Sequence, residues 1–80
     1  MLAKVFISLK PGVLDPQGKA AQHSLATMGF KEVESVRIGK MIEVKVNETS
    51  KKDAEARIKD MCEKLLANTV IENYRIEIEG

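Results

Sequence analysis

Lys10-Pro11-Gly12-Val13-Leu14-Asp15-Pro16-Gln17-Gly18 decides the fold, because a strand pattern runs into it and a helix pattern runs out of it. Pro11-Gly12 suits the centre of a type II turn: proline presets the first φ, and glycine tolerates the positive φ that follows. Asp15-Pro16 reads as a helix start. The Asp15 carboxylate can accept from free amide groups at the N-cap, and Pro16 fits the first turn, where its missing N–H costs nothing. Two features exceed a plain connection. Val13 and Leu14 are apolar where polar residues would serve, and Gly18 weakens the turn it sits in.

Upstream, Ala3, Val5, Ile7 and Leu9 alternate with Lys4, Phe6 and Ser8, which predicts a half-buried strand with Phe6 on the opposite face. Downstream, Ala21, Leu25 and Met28 mark the buried stripe of a helix over residues 16–28, and Gly29 is its left-handed stop. Residues 30–38, with Val33, Val36 and Ile38, are expected to form a second strand. Gly39-Lys40 then makes a hairpin turn. Ile42, Val44 and Val46 alternate with Glu43 and Lys45 as a third strand.

Ser50 with Asp53 three residues on resembles a capping box and opens a second helix. Ala54, Ile58, Met61, Cys62 and Leu65 are its expected stripe, and Asn68 its stop. Glu55 with Lys59 and Asp60 with Lys64 are favourable i, i+4 pairs, contributing roughly 0.2–0.5 kcal/mol each. Tyr74, Ile76 and Ile78 alternate with charged residues as a last strand. The order strand, helix, strand, strand, helix, strand, with right-handed crossovers, predicts an α+β ferredoxin-like two-layer sandwich. It has a four-stranded antiparallel sheet with both helices on one face. Residues 1–80 make one domain. The uncovered face would carry Lys4, Phe6, Val33, Met41, Lys45 and Arg75, and Phe6, Val33 and Met41 are the expected self-association contacts.

Net charge is +1, from 13 basic and 12 acidic residues, which gives no electrostatic case for nucleic acid or an acidic membrane. No apolar run is long enough to span a bilayer, and Met1-Leu2-Ala3-Lys4-Val5 does not open a secretory leader. A cytoplasmic location is expected. One cysteine excludes an internal disulfide and an all-cysteine zinc site. Cys62 lies on the buried stripe, whereas His23 stands about 200° round its helix from Ala21 and faces solvent. The two should not meet as a catalytic pair. Cys62 reads as a small core residue and His23 as a solvated one. Neither phosphate-loop glycine motif is present. The residues point to no catalytic set, no cofactor site and no metal site in this chain.

Four blocks carry a family resemblance: Leu9 through Gly18; Met28-Gly29-Phe30; Val36-Arg37-Ile38-Gly39-Lys40; and Cys62-Glu63-Lys64-Leu65-Leu66-Ala67-Asn68-Thr69-Val70-Ile71-Glu72-Asn73-Tyr74. In this order, and over nearly the whole chain, they resemble the PurS family. Thr69 and Asn73 stand where the family more often has Pro and Asp. PurS is the small subunit of phosphoribosylformylglycinamidine synthase in organisms that divide the enzyme into three chains. The resemblance implies that formylglycinamide ribonucleotide, ATP and glutamine give the amidine, ADP, phosphate and glutamate. A glutaminase subunit frees ammonia, and a large synthetase subunit activates the amide oxygen. The complex is expected to use ATP and Mg, neither bound by the small subunit. That subunit is implied to be a non-catalytic assembly partner of the other two, and a homodimer or higher homo-oligomer.

The contacts expected for those partners are Lys10, Pro11, Gly12, Val13, Leu14 and Asp15 in the first loop. Arg37, Gly39 and Lys40, and Asn68, Thr69, Val70 and Ile71, are expected to join them. The alternative is a free-standing dimeric regulatory module of the same fold that binds a small molecule.

Overall fold

The computed structural model describes all of residues 1–80. The chain runs β1 (Leu2–Leu9), α1 (Pro16–Thr27), β2 (Lys40–Lys45), α2 (Lys51–Met61), a π-helical turn (Cys62–Leu66) and β3 (Glu72–Glu79). β1 is the centre of a three-stranded sheet of order β2-β1-β3, antiparallel throughout. Val5 pairs with Ile42 on one side and Ile76 on the other, and Ala3 likewise with Val44 and Ile78. Paired residues share a face, so these side chains form one apolar surface.

α2 covers part of that surface, packing over β3 and β1. The core is Ala3, Val5 and Ile7 from β1 against Ile58, Cys62 and Ala67. Ser50 caps α2 by accepting from the Asp53 N–H at 3.4 Å. Asp60 and Lys64 form their expected pair at 2.9 Å.

The expected fourth strand is absent from the sheet. Residues 33–39 are outside every ladder, and Lys40 opens β2 opposite Ile7 instead of turning a hairpin. The order within the chain is therefore strand, helix, strand, helix, strand. The reason lies in α1. Its ends form as the sequence predicts: Asp15 accepts from Gly18 N–H at 2.8 Å, and the stop at Gly29 has φ 101°. Phe30 N–H reaches Leu25 O and Gly29 N–H reaches Ala26 O, a Schellman pair. Yet α1 shares no packed interface with any strand or with α2. Its expected stripe is not buried: Ala21 and Leu25 are half-buried, and Met28 is exposed. The helices do not lie together on one face. α1 and residues 28–39 extend away from the sheet as an arm, and the chain measures 49 Å along its long axis.

The second correction concerns the end of α2. The stripe Ala54, Ile58, Cys62 advances by four residues, and a π turn then closes with Ala67 N–H on Cys62 O at 3.1 Å. The wider turn brings Leu66 and Ala67 to the core and leaves Leu65, an expected stripe residue, 82% exposed.

Candidate docking surface

The three segments singled out in the sequence meet at one end of the sheet, beyond the C-terminus of β1. The first loop is the type II turn expected: Val13 N–H bonds Lys10 O at 3.0 Å and Gly12 has φ 89°. Lys10 N–H reaches across to Ile71 O at 2.9 Å, joining this loop to residues 68–71. That second loop is tight. The Asn68 side chain accepts from Val70 N–H at 3.2 Å, and Asn68 N–H bonds the Glu72 carboxylate at 2.7 Å. Arg37 ties in the third segment, donating to Lys10 O at 3.2 Å. Gly39 lies so close to β1 that a Cβ there would stand 2.5 Å from Ile7 O.

Asp15 is the buried polar residue at the centre. One carboxylate oxygen takes Gly18 N–H and the other takes Ile38 N–H at 2.7 Å. These bonds, that from Ile38 first, hold its carboxyl below the usual range, with the Arg37 charge adding to them. A carboxylate so committed is a structural anion and a poor general base. Beside it lies a cleft of about 290 Å³, lined among others by Ile7, Leu9, Ile38 and Glu72. It holds no nucleophile paired with a base.

Apolar side chains project around this end. Leu14 is 69% and Val70 80% exposed, and Ile38 and Ile71 are also exposed. Pro11, Gly12 and Lys40 are exposed, while Lys10, Val13 and Thr69 are half-buried. Ile38 is exposed within this cluster although it was not among the expected contacts, and Leu65 is exposed on the π turn although it was expected on the buried stripe. The four-residue spacing of Ala54, Ile58 and Cys62 was the available signal for Leu65, since it points next to position 66.

Cys62 is fully buried and His23 exposed, on different helices. Burial raises the Cys62 thiol pKa. Tyr74 donates to Glu63 at 2.6 Å, and that bond pushes its pKa up to about 12. No three His, Cys, Asp or Glu side chains converge as a metal cage. No helix is long and apolar enough to cross a membrane.

Of the expected self-association contacts, Val33 lies in the arm and not on the sheet. Phe6 and Met41 do share the outer face. There Arg75 lies over the Phe6 ring at 4.3 Å and pairs with Glu77, while Lys4 pairs with Glu79 at 3.0 Å.

The fold and this end of it define a class: a small α+β domain with exposed apolar side chains on hydrogen-bonded loops and no converging catalytic set. The sequence model of the PurS family, phosphoribosylformylglycinamidine (FGAM) synthase, matches residues 2–80. The Bacillus subtilis (strain 168) protein named phosphoribosylformylglycinamidine synthase subunit PurS is 58% identical over 76 residues, 95% of this chain and 89% of that one. A solved structure of B. subtilis PurS superposes with a TM-score of 0.85 at 56% identity, covering 99% and 98% of the two chains. A chain of the structure described as PurLQS from Thermotoga maritima gives 0.82 at 32% identity, covering 96% of each. The chain belongs to the PurS family, and so to the subunits of FGAM synthase in purine biosynthesis.

Proposed function

We propose that this chain is the non-catalytic assembly subunit of a three-chain FGAM synthase. It brings a glutaminase subunit and a large synthetase subunit together so that ammonia passes from one to the other. The observation that carries this reading is the cluster at the end of β1. Three loops distant in sequence are pinned to one another, by a backbone bond from Lys10 to Ile71 and by the Arg37 and Asp15 side chains, and they present Leu14, Val70 and Ile71 outward. Apolar side chains on preorganised loops lose little entropy on docking, which suits an interface and not a solvated loop. The T. maritima complex named for all three chains contains a chain of this fold. ATP and Mg are then handled by the synthetase subunit, and the assembly works in the cytoplasm.

The test is reconstitution with the two large chains. Glutamine-dependent formation of the amidine should require this chain and fail with Val70→Asp, while synthesis from added ammonia persists. Glutamine-dependent turnover by the two large chains alone, unchanged on adding this one, would overturn the reading. So would turnover by the isolated chain.

A further inference from the structure

The outer face of the sheet is satisfied by ion pairs over most of its length and open at one end. Lys4 pairs with Glu79, and Arg75 with Glu77. Past Phe6, towards the C-terminus of β1, the next row is Ser8 on β1 and Asn73 on β3. The two are direct partners in the antiparallel ladder, and both are exposed. They alternate with Ile7 and Tyr74, which puts their side chains on the outer face. The side-chain hydrogen bonds of the chain leave the Ser8 hydroxyl and the Asn73 carboxamide unengaged. On the other side of Ser8 stands Gly39, where even a Cβ would lie 3.6 Å from Ser8 Cα. No side chain fills that flank.

Arg37 closes the end of the row. Its Nη2 donates to Leu9 O at 3.5 Å and to Lys10 O at 3.2 Å, which orients the guanidinium. It meets no carboxylate in an ion pair. The Asp15 carboxylate is buried and committed to Gly18 and Ile38. Nε and Nη1 of Arg37 therefore keep their donors free.

Two hollows adjoin along this row. One, of about 470 Å³, is lined by Ser8, Leu9, Pro11, Arg37 and Asn73. The other, of about 290 Å³, shares Ser8 and Asn73 and ends at Phe6 and Arg75. Together they form a groove with an arginine at each end and a hydroxyl and a carboxamide between. No carboxylate lines either hollow.

We propose that this groove binds a phosphate monoester. The phosphate sits on Arg37, Ser8 and Asn73, and the organic part runs towards Arg75. A carboxylate would occupy the guanidinium fork and leave Ser8 and Asn73 unmet. The three terminal oxygens of a phosphate monoester can accept from all three side chains. A bare phosphate would leave most of the groove empty. Leu9 and Pro11 give apolar wall, and the Arg75 guanidinium, held over the Phe6 ring at 4.3 Å, offers a plane for a sugar or a base. No linear motif announces the site, because its groups come from β1, β3 and the segment that returns from α1. It is complete within one chain, so it goes beyond the assembly role and does not depend on it.

The experiment is amide chemical-shift titration of the full isotope-labelled chain at fixed ionic strength, with inorganic phosphate, ribose 5-phosphate, adenosine monophosphate and adenosine as probes. Saturable shifts are expected at Ser8, Arg37, Gly39 and Asn73 with the two esters. Inorganic phosphate should bind more weakly, and adenosine should leave these amides unmoved. The tighter of the two esters tells a sugar phosphate from a nucleotide. Arg37→Gln should weaken ester binding by about tenfold or more, the loss of a charged hydrogen bond. Asn73→Asp keeps the shape of the groove and should abolish binding by placing a negative charge in it. Lys64→Gln, on α2 and paired with Asp60, should bind as wild type. No saturable shift with either ester, inorganic phosphate binding as tightly as the esters, or unchanged binding in Asn73→Asp overturns the proposal. If Arg37→Gln fails to fold, Asn73→Asp decides alone.

Discussion

The Asp15 carboxylate accepts from the Ile38 N–H at 2.7 Å, joining residues twenty-three apart in the chain. Its other oxygen caps α1 through Gly18. One side chain therefore holds the first loop, the helix it opens and the segment that returns to the sheet. The direction of the arm follows from this bond more than from any apolar contact of α1.

Acid should weaken that junction. The folded pKa of Asp15 lies below its unfolded value, because Ile38 and Gly18 donate to the charged form. The stabilisation is then complete above the unfolded value of about 3.9 and is lost as pH falls through the folded value. Asp15→Ala should lower the melting temperature by roughly 4–8 °C at neutral pH, the loss of an N-cap in a domain of this size. The gap between wild type and variant should close as the pH is lowered below about 4. A constant gap across that range means the carboxylate charge is not what matters.

Gly18→Ala tests the same junction by shape. In an open helix, alanine would add roughly 1 kcal/mol over glycine. Here its Cβ would stand 2.3 Å from Val36 O and 2.8 Å from an Asp15 carboxylate oxygen. The variant should melt lower than wild type, and the Ile38 amide should exchange faster. A more stable protein would show that α1 and the return segment separate without cost.

Tyr74 is the only tyrosine, and there is no tryptophan, so tyrosinate absorbance reports this residue alone. The midpoint should lie near the value of about 12 set mainly by the Glu63 bond. Glu63→Gln should bring it down towards about 10. Since the folded value is raised, the contribution to stability is whole below the unfolded pKa and falls as pH rises from there through the folded one. An unshifted midpoint in the variant would place the cause elsewhere.

Local chemistry was legible in the sequence; arrangement beyond the chain was not. Pro11-Gly12, Asp15-Pro16, Gly29 and Ser50 each act where their own backbone preferences dictate, and each forms as expected. The strands rest on period-two alternation, and three of the four formed. Val33, Val36 and Ile38 have the composition of a strand but found no partner within the chain. Strand propensity describes fit to a neighbour, and a sequence does not say whose neighbour. Leu65 failed for a different reason: one inserted residue in a π turn rotates everything after Cys62 relative to a 3.6-residue count. The three segments proposed for docking follow from family blocks and loop chemistry. That Lys10 meets Ile71 follows only from the pairing of β1 with β3.

Leu14 and Ile58 divide stability from assembly. Leu14 precedes the Asp15 cap, where a hydrophobic staple would reach the fourth helical residue. That residue is Lys19, which is exposed and offers only its aliphatic stem. Leu14 itself is 69% exposed, so the chain gives it no core to enter. Leu14→Ala should change stability by no more than about 0.5 kcal/mol. If the loop is the docking surface proposed, the same variant should weaken assembly with the large chains by about 1–2 kcal/mol. Ile58 is fully buried between α2 and the sheet. Ile58→Ala should cost about 2–5 kcal/mol, much of the total available to so small a domain. Both variants are to be melted at one protein concentration, because loss of a dimer contact also lowers an apparent melting temperature. A large loss of stability in Leu14→Ala with normal complex formation would return the loop to a mere connection between β1 and α1.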